Sequence, residues 1–398
     1  MTTTFSTTDV LDRVRALGTY LDEQADLADE LGRLPDETAQ RLREAGVMRM
    51  LQPHDYAGYQ CSPPEWFDAI FEVGRHSGAV TWVCGVVGVH PFELALGTRR
   101  LQDEIWGEDP DVWIASPYAP FGRARPVEGG FRFSGRWPWS TGTYHCDWSV
   151  LGGLITDEEG KALPHDVGTR HFFLPKSDYT TLPDEWRMSG LAGTGSYDVV
   201  VDDVFIPDYR VIDPRELESG AAAERAGRSD AALYRFPFNL MFAGTIAAGA
   251  LSIARGGLEA FVNYSRTRQT RMNHVVSMDP HQLATLGAAA ADIDAGVVQF
   301  RRDIESVWAL VEVGQPIPVD LKIEVRRNQV RAVQRAISAI DELMRHAGGA
   351  AMSRDNPLQR FWRDAHTGAG HGANVAETQY TAYGLNLFGH PLPPGYRI

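Results

Sequence analysis

The sequence predicts a mainly helical α+β protein in three successive parts: an N-terminal helical domain over residues 1–112, a middle β domain over 113–215, and a C-terminal helical bundle with a tail over 216–398. Three observations predict it. Apolar residues recur at three- and four-residue steps near both ends of the chain. The middle is instead broken into short β-branched and aromatic runs separated by Gly, Pro and Asp. Long Ala-rich segments then close the sequence, with the composition of an antiparallel four-helix bundle.

Taken in order, Val10, Leu11, Val14, Leu17 and Leu21 follow a helical period, and Leu34-Pro35-Asp36 opens a second helix with proline in its first turn. Beyond the turn-rich residues 52–59, the stretches 64–74 and 79–96 read as further helices. The second is apolar on nearly every side and so belongs in the interior; it carries His90. Runs at 130–137, 148–155, 170–175 and 196–207 read as strands of a β-barrel or sandwich. Residues 216–228, rich in Ala, Glu, Arg and Gly, read as a mobile connector. The bundle helices are expected over 238–265, 279–313, 319–347 and 357–380.

Composition narrows the function. A net charge of −14 argues against nucleic acid and against an anionic membrane surface, both of which call for a basic patch. Cys61, Cys84 and Cys146 form no CxxC pair, which suggests neither a disulfide framework nor a zinc site and fits a reducing cytoplasm. Neither a secretory leader nor a run of 18 uninterrupted apolar residues is evident, so a cytoplasmic protein without a membrane span is expected. The fingerprints of a dinucleotide fold, a P-loop, a zinc protease and an α/β-hydrolase nucleophile are missing, and no metal is expected.

Two stretches carry candidate chemistry. Residues 359–374 place His366 and His371 in a Gly-rich helix break beside Arg363 and Asp364: either an imidazole facing a cavity or a solvated helix end. Residues 134–148 place Trp137, Trp139 and Trp148 beside Ser140 and Thr141. Flat apolar rings with adjacent hydroxyls suit a planar heteroaromatic such as isoalloxazine, although the same tryptophans could fill a β core.

The three-part order, Gly135-x-Trp-x-Trp-Ser-Thr-Gly142, Gly190-Leu-Ala-Gly-Thr-Gly-Ser196 with the strand after it, and His346-Ala-Gly-Gly-Ala with Arg363-Asp-Ala resemble the acyl-CoA dehydrogenase fold over essentially the whole chain. Within that superfamily, residues 360–366 with His371, Val87-Gly-Val-His90, Trp106-Gly-Glu-Asp-Pro110, Ser116-Pro-Tyr-Ala-Pro120 and Leu392-Pro-Pro-Gly395 resemble the oxygenase components of two-component flavin-dependent monooxygenases. The likeness is strongest to the secosteroid phenol hydroxylase of bacterial steroid catabolism, and more distant to the 4-hydroxyphenylacetate hydroxylase oxygenase.

That resemblance implies reduced FMN or FAD delivered by a separate NAD(P)H-dependent flavin reductase, O2 as co-substrate, and a C4a-hydroperoxyflavin that hydroxylates a phenolic or polycyclic aromatic substrate ortho to its hydroxyl. It also implies a homotetramer assembled through the bundle. Carried over by position, His371, His90 and Ser116 form the catalytic set. Thr141, with Ser140, matches the hydroxyl at flavin N5; Trp139 matches a flavin- or substrate-facing position; Arg268 matches a flavin-phosphate contact often supplied by a neighbouring subunit. A phenol with a pKa of about 10 needs a base. The expectation is a histidine tuned near neutrality, His371 as base or partner of the peroxide, and His90 in the other role.

Gly372 stands where many dehydrogenases of this fold carry the glutamate that abstracts a proton, which counts against an acyl-CoA dehydrogenase. The same fold also admits oxygenation of nitrogen or sulfur, and a non-catalytic scaffold.

Overall fold

The computed structural model of the chain describes residues 7–269, 273, 275–393 and 396. Part of the expected terminal motif, Pro394 and Gly395, lies outside them. Helices α1 (Thr7–Ala16), α2 (Gly18–Leu31), α3 (Asp36–Ala45), α4 (Pro63–Gly74), α5 (Gly78–Gly88), α6 (His90–Leu94) and α7 (Arg99–Trp106) form the N-terminal part. Ser62 and Glu65 begin α4 as a reciprocal capping box, and Ser77 caps α5 by accepting the Val80 N–H.

The stretch expected as one helix over 79–96 is two. Pro91 has no N–H, and its ring collides with the carbonyl four residues back, so the helix breaks at Val89 and restarts at His90. All of Gly78–Gly88 is buried.

Strands β1 (Ile114–Ala115), β2 (Gly122–Val127), β3 (Gly130–Ser140), β4 (Trp148–Ile155), β5 (Thr169–Pro175), β6 (Thr180–Leu182), β7 (Tyr197–Pro207) and β8 (Val211–Ile212) build one eight-stranded sheet, interrupted by a short helix α8 (His165–Gly168). The order is β6-β7-β3-β2-β4-β5-β8, with β1 parallel to β4. Phe133, Trp137 and Phe172 fill its core, Phe133 stacking on Phe172 with centroids 4.3 Å apart. The β3–β7 ladder shifts register between Trp137 and Ser140. That bulge turns Trp139 out of the sheet at φ 65°.

The expected mobile connector is structured. Helices α9 (Pro214–Ser219) and α10 (Ala221–Arg225) bury Leu217, Ala222 and Ala223. Just beyond, the Arg228 guanidinium donates to the Ala95 carbonyl at 2.9 Å and to Gln102 Oε1 at 2.6 Å. Apolar burial and that fork outweigh the polar composition.

Helices α11 (Phe238–Arg266), α12 (Pro280–Glu312) and α13 (Val319–Ala347) are followed by α14 (Pro357–Ala369) and α15 (Ala376–Leu387). The fourth expected helix, 357–380, is thus divided. Gly368, Gly370 and Gly372 weaken it, and the His371 side chain accepts the Ala373 N–H to start a separate turn, Gly372–Asn374. By length and composition α11 and α12 could each cross a membrane, but 83% of the most apolar window of α11 is buried in the bundle.

Candidate active site

The kink between α5 and α6 sets one wall of the site. It leaves His90 fully buried at the start of α6, with Nδ1 2.9 Å from the Tyr118 hydroxyl. Tyr118 lies on the segment after β1 and stacks on His171 of β5, centroids 4.5 Å apart. His171 Nδ1 lies 2.6 Å from Glu93 Oε1, one turn along α6 from His90. Phe238 and Phe242, at the start of α11, meet the Tyr118 ring edge-on at 5.7 and 5.0 Å. Ser116, two residues before Tyr118, is also buried. Burial, then the neighbouring His171, lowers the His90 pKa to about 3. The ring is therefore neutral at physiological pH, and its Nε2 has no hydrogen-bond partner among the described residues.

His371 forms the facing wall. Its ring meets Phe242 at 6.0 Å and Trp82 of α5 at 6.1 Å. The Ala373 amide N–H donates to its Nδ1 at 3.1 Å. A ring nitrogen that accepts carries no proton, so neutral His371 bears its hydrogen on Nε2 and offers a donor there. Burial, then the Arg326 charge, lowers its pKa to about 4. Arg326 is itself buried on α13, pushed down to about 10 by desolvation, and donates to the Ala373 carbonyl at 2.6 Å and to Gln329. The expectation of a histidine poised near neutrality fails at both positions, because each ring has lost the water that would solvate its cation.

The third wall is the turn after β3. Gly142, at φ 71°, seats this turn on α5: a Cβ there would come within 2.9 Å of Val87 and 3.3 Å of Val83. Thr141 is buried with its hydroxyl 3.0 Å from Ser196 Oγ, which lies 2.7 Å from Thr194 Oγ1. Ser140 Oγ is buried and without a partner among the described residues. Trp139, directly before Ser140 in the chain, is 64% exposed. An orphaned buried hydroxyl, a second hydroxyl and an open indole suit the edge and face of a planar heteroaromatic ring, so these residues fit a flavin.

Asp364 ties the walls together. Its buried Oδ1 accepts the Leu191 N–H at 2.6 Å and thereby holds the turn Ala192–Thr194, which supports Ser196 and Thr141. A side chain at Gly78 would collide with this carboxylate. Arg363 pairs with Asp29 at 2.9 Å and Arg360 with Asp26. The Arg-Asp-Ala segment is therefore a clamp.

Other expected residues lie elsewhere. His366 Nε2 pairs with Asp341 at 3.2 Å, and its ring packs on Trp362, away from His371. The expected wall of three tryptophans reduces to one. Trp137 points into the sheet core, donating to the Gly152 carbonyl at 2.8 Å, and Trp148 lies under Arg210 at 5.0 Å. Alternation along β3 sends Trp137 inward, whereas the bulge sends Trp139 outward. Arg268 follows the far end of α11 beside Tyr264 and Gly348. From Phe242 to Arg266 the helix spans about 36 Å at 1.5 Å per residue. A Cβ on Gly372 would meet nothing within 4 Å, so where a dehydrogenase of this fold would hold a carboxylate there is open space.

Residues 244–375 match the family model described as acyl-CoA dehydrogenase, C-terminal domain. The chain is 38% identical to a pigment production hydroxylase of Rhodococcus erythropolis, over 96% of this chain and 97% of that protein. It is also 38% identical to the flavin-dependent monooxygenase oxygenase subunit HsaA of Rhodococcus jostii, over 96% and 99% of the two chains. It belongs to the HsaA-type flavin-dependent monooxygenase oxygenase subunits. The crystal structure of the 3-HSA hydroxylase of Rhodococcus sp. RHA1 superposes on this oxygenase subunit with a TM-score of 0.91 at 37% identity, covering 97% of this chain and 98% of that one. The Streptomyces protein XiaF, solved with FADH2 and glycerol, gives 0.90 at 25% identity over 98% and 97%. More distant is the p-hydroxyphenylacetate 3-hydroxylase oxygenase component of Acinetobacter baumannii, 28% identical over 97% of this chain and 90% of that protein. The oxygenase subunit is thus a reduced-flavin-dependent monooxygenase of the two-component kind, on the acyl-CoA dehydrogenase fold.

Glu93 and His171 were not singled out from the sequence. The signal was present: Glu93 is the one carboxylate in the largely apolar stretch 78–97.

Proposed function

We propose that this subunit hydroxylates a phenolic or polycyclic aromatic compound ortho to its hydroxyl, using O2 and reduced FMN or FAD made by a separate NAD(P)H-dependent reductase. The observation that carries this reading is the pair of neutral histidines with opposite hydrogen-bond roles across an aromatic cage. His371 offers an Nε2–H, whereas His90, with Nδ1 engaged by Tyr118, has a buried and unengaged Nε2. The geometry favours His90 as the acceptor of the phenolic proton and His371 as the donor toward the oxygen being transferred, one of the two assignments left open by the sequence. Reduced flavin and O2 supply the electrophilic oxygen. Thr141, Ser140 and Trp139 would hold the ring edge and face, Ser116 would line the substrate side, and the rings of Tyr118, Phe238 and Phe242 would keep water out.

Assembly as a homotetramer through the bundle is part of this reading. Leu283, Gly287, Ala291, Ala295 and Val298 line one outer face of α12 at helical spacing and are exposed. Such a face suits close helix packing against a second copy. Arg268, just past the end of α11 and about 36 Å along it from Phe242, would contact the flavin phosphate of a neighbouring copy in this reading. Cys61, Cys84 and Cys146 are all unpaired and buried, in keeping with a cytoplasmic location.

The test supplies chemically reduced FMN or FAD and 18O-labelled O2 together with a phenol, an aromatic amine and an aryl sulfide. One labelled oxygen ortho to the phenol hydroxyl is the expected product. Labelled oxygen only on nitrogen or sulfur would replace this reading with heteroatom oxygenation.

A further inference from the structure

A base whose cation is as poorly tolerated as that of buried His90 cannot keep a phenolic proton; it must hand the proton on. The structure contains a place for it. His90 Nδ1, the Tyr118 hydroxyl and the Glu93 carboxylate belong to one buried group: His90 and Glu93 lie on the same short helix, and Tyr118 bridges to His90 at 2.9 Å. His171 fixes the arrangement, stacking under Tyr118 and engaging Glu93 Oε1 at 2.6 Å. The second oxygen, Glu93 Oε2, is buried without a hydrogen-bond partner among the described residues. Burial, then the adjacent Glu93, holds the Tyr118 phenol well above its ordinary pKa, so it remains a neutral hydroxyl able to give one proton as it takes another.

We propose that Glu93, held by His171, is the proton acceptor behind His90 and is reached through the Tyr118 hydroxyl. The inference rests on the phenol-hydroxylase reading above. In the resting site His90 carries its proton on Nδ1, directed at Tyr118 Oη. The substrate O–H bond breaks as an N–H bond forms at His90 Nε2. The Nδ1 proton passes to Tyr118 Oη, and the original Tyr118 proton passes to the adjacent Glu93 carboxylate. The products are a substrate phenolate, a neutral His90 in its other tautomer, a neutral Tyr118 and a carboxylic acid at Glu93. His90 is at no point an imidazolium. The ionisable groups packed around this path are His90, Tyr118, Glu93 and His171, with His371 beyond Phe242.

Glu93 and Tyr118 do not touch the transferred oxygen in this scheme; they act through His90. The test therefore reads the ionisation of a bound phenol and needs no turnover. The probe is 4-nitrophenol, whose phenolate absorbance is followed against pH in the wild type, Glu93→Gln and Tyr118→Phe. The wild type is expected to ionise the bound probe at lower pH than water does. Each variant should shift that midpoint upward by at least about one pH unit, roughly tenfold in the ionisation constant, while binding of the neutral probe changes less than about threefold. Tyr118→Phe keeps the ring that stacks on His171, so it decides the matter if Glu93→Gln does not fold. Variants that titrate together with a shifted wild type overturn the relay and leave the phenol reading standing. A wild type that leaves the probe's ionisation as it is in water overturns both.

Discussion

Replacing Asp364 with asparagine should remove part of the pH dependence of stability. Asp364 is 1% exposed, and burial raises its pKa from 3.8 to about 7 despite Arg363, Arg360 and the Leu191 amide. The folded protein then keeps this proton up to about pH 7, whereas the unfolded chain releases it near 4. Between those values the folded state binds more protons, so this group's contribution is fully present below about pH 4 and is lost as pH rises toward 7. Roughly three pH units at about 1.4 kcal/mol each give about 4 kcal/mol as the upper size of the effect.

In Asp364→Asn the side-chain amide would retain an oxygen for the Leu191 N–H and bring no charge. The variant should therefore be more stable than the wild type at pH 8, with the difference shrinking toward pH 5. Asp364→Ala should instead be destabilised at every pH, since it leaves the Leu191 N–H buried and unpaired at about 1–3 kcal/mol. Urea unfolding at intervals from pH 5 to 8 measures both. Parallel curves for wild type and Asp364→Asn would refute the reasoning, because they would mean that the carboxylate is charged throughout.

Thr141→Val keeps the shape of the turn but removes the hydroxyl bonded to Ser196; hydrogen peroxide released per flavin oxidised should rise about tenfold or more, measured against hydroxylated product. Arg326→Met should raise the His371 titration midpoint above about 4, by removing the second cause of its depression, yet leave it below an ordinary histidine because burial is the larger cause; NMR of the ring protons reads this. If the proposed homotetramer forms through this face of α12, Val298→Glu with Leu283→Glu should split it in light scattering and weaken flavin binding through loss of the proposed contact from a neighbour's Arg268. An intact assembly would show that this face of α12 is not the contact.

The long bundle helices were legible because their apolar period persists for about thirty residues, long enough for a few misplaced polar groups not to matter. Their ends agree with expectation to within a residue or so. Breaks were harder to read. Pro91 and the glycines around His371 divide helices whose hydrophobic pattern runs straight through them, and the pattern alone cannot report a missing hydrogen bond. The connector at 216–228 was misread because its polar composition concealed three buried apolar residues and the reach of Arg228.

In the site, the hydroxyls and both histidines could be read from motif likeness, but their protonation could not. The lone pair of His371 is claimed by an amide two residues on, and His90 is depressed first by burial and then by His171, from a strand some eighty residues away. Trp137 and Trp139 looked equivalent until the β-bulge between them separated core from surface. Only tertiary structure brings Glu93, Tyr118 and His171 together.

The central claim, a reduced-flavin monooxygenase, is tested most directly by the rate at which flavin reoxidises. Anaerobic protein carrying reduced FMN or FAD is mixed with O2 in a stopped-flow spectrometer, without substrate. The walls formed by Thr141, His371 and the aromatic rings predict that oxidised flavin returns much more slowly than it does free in buffer. Reoxidation at the rate of free flavin, with either cofactor, would contradict the account.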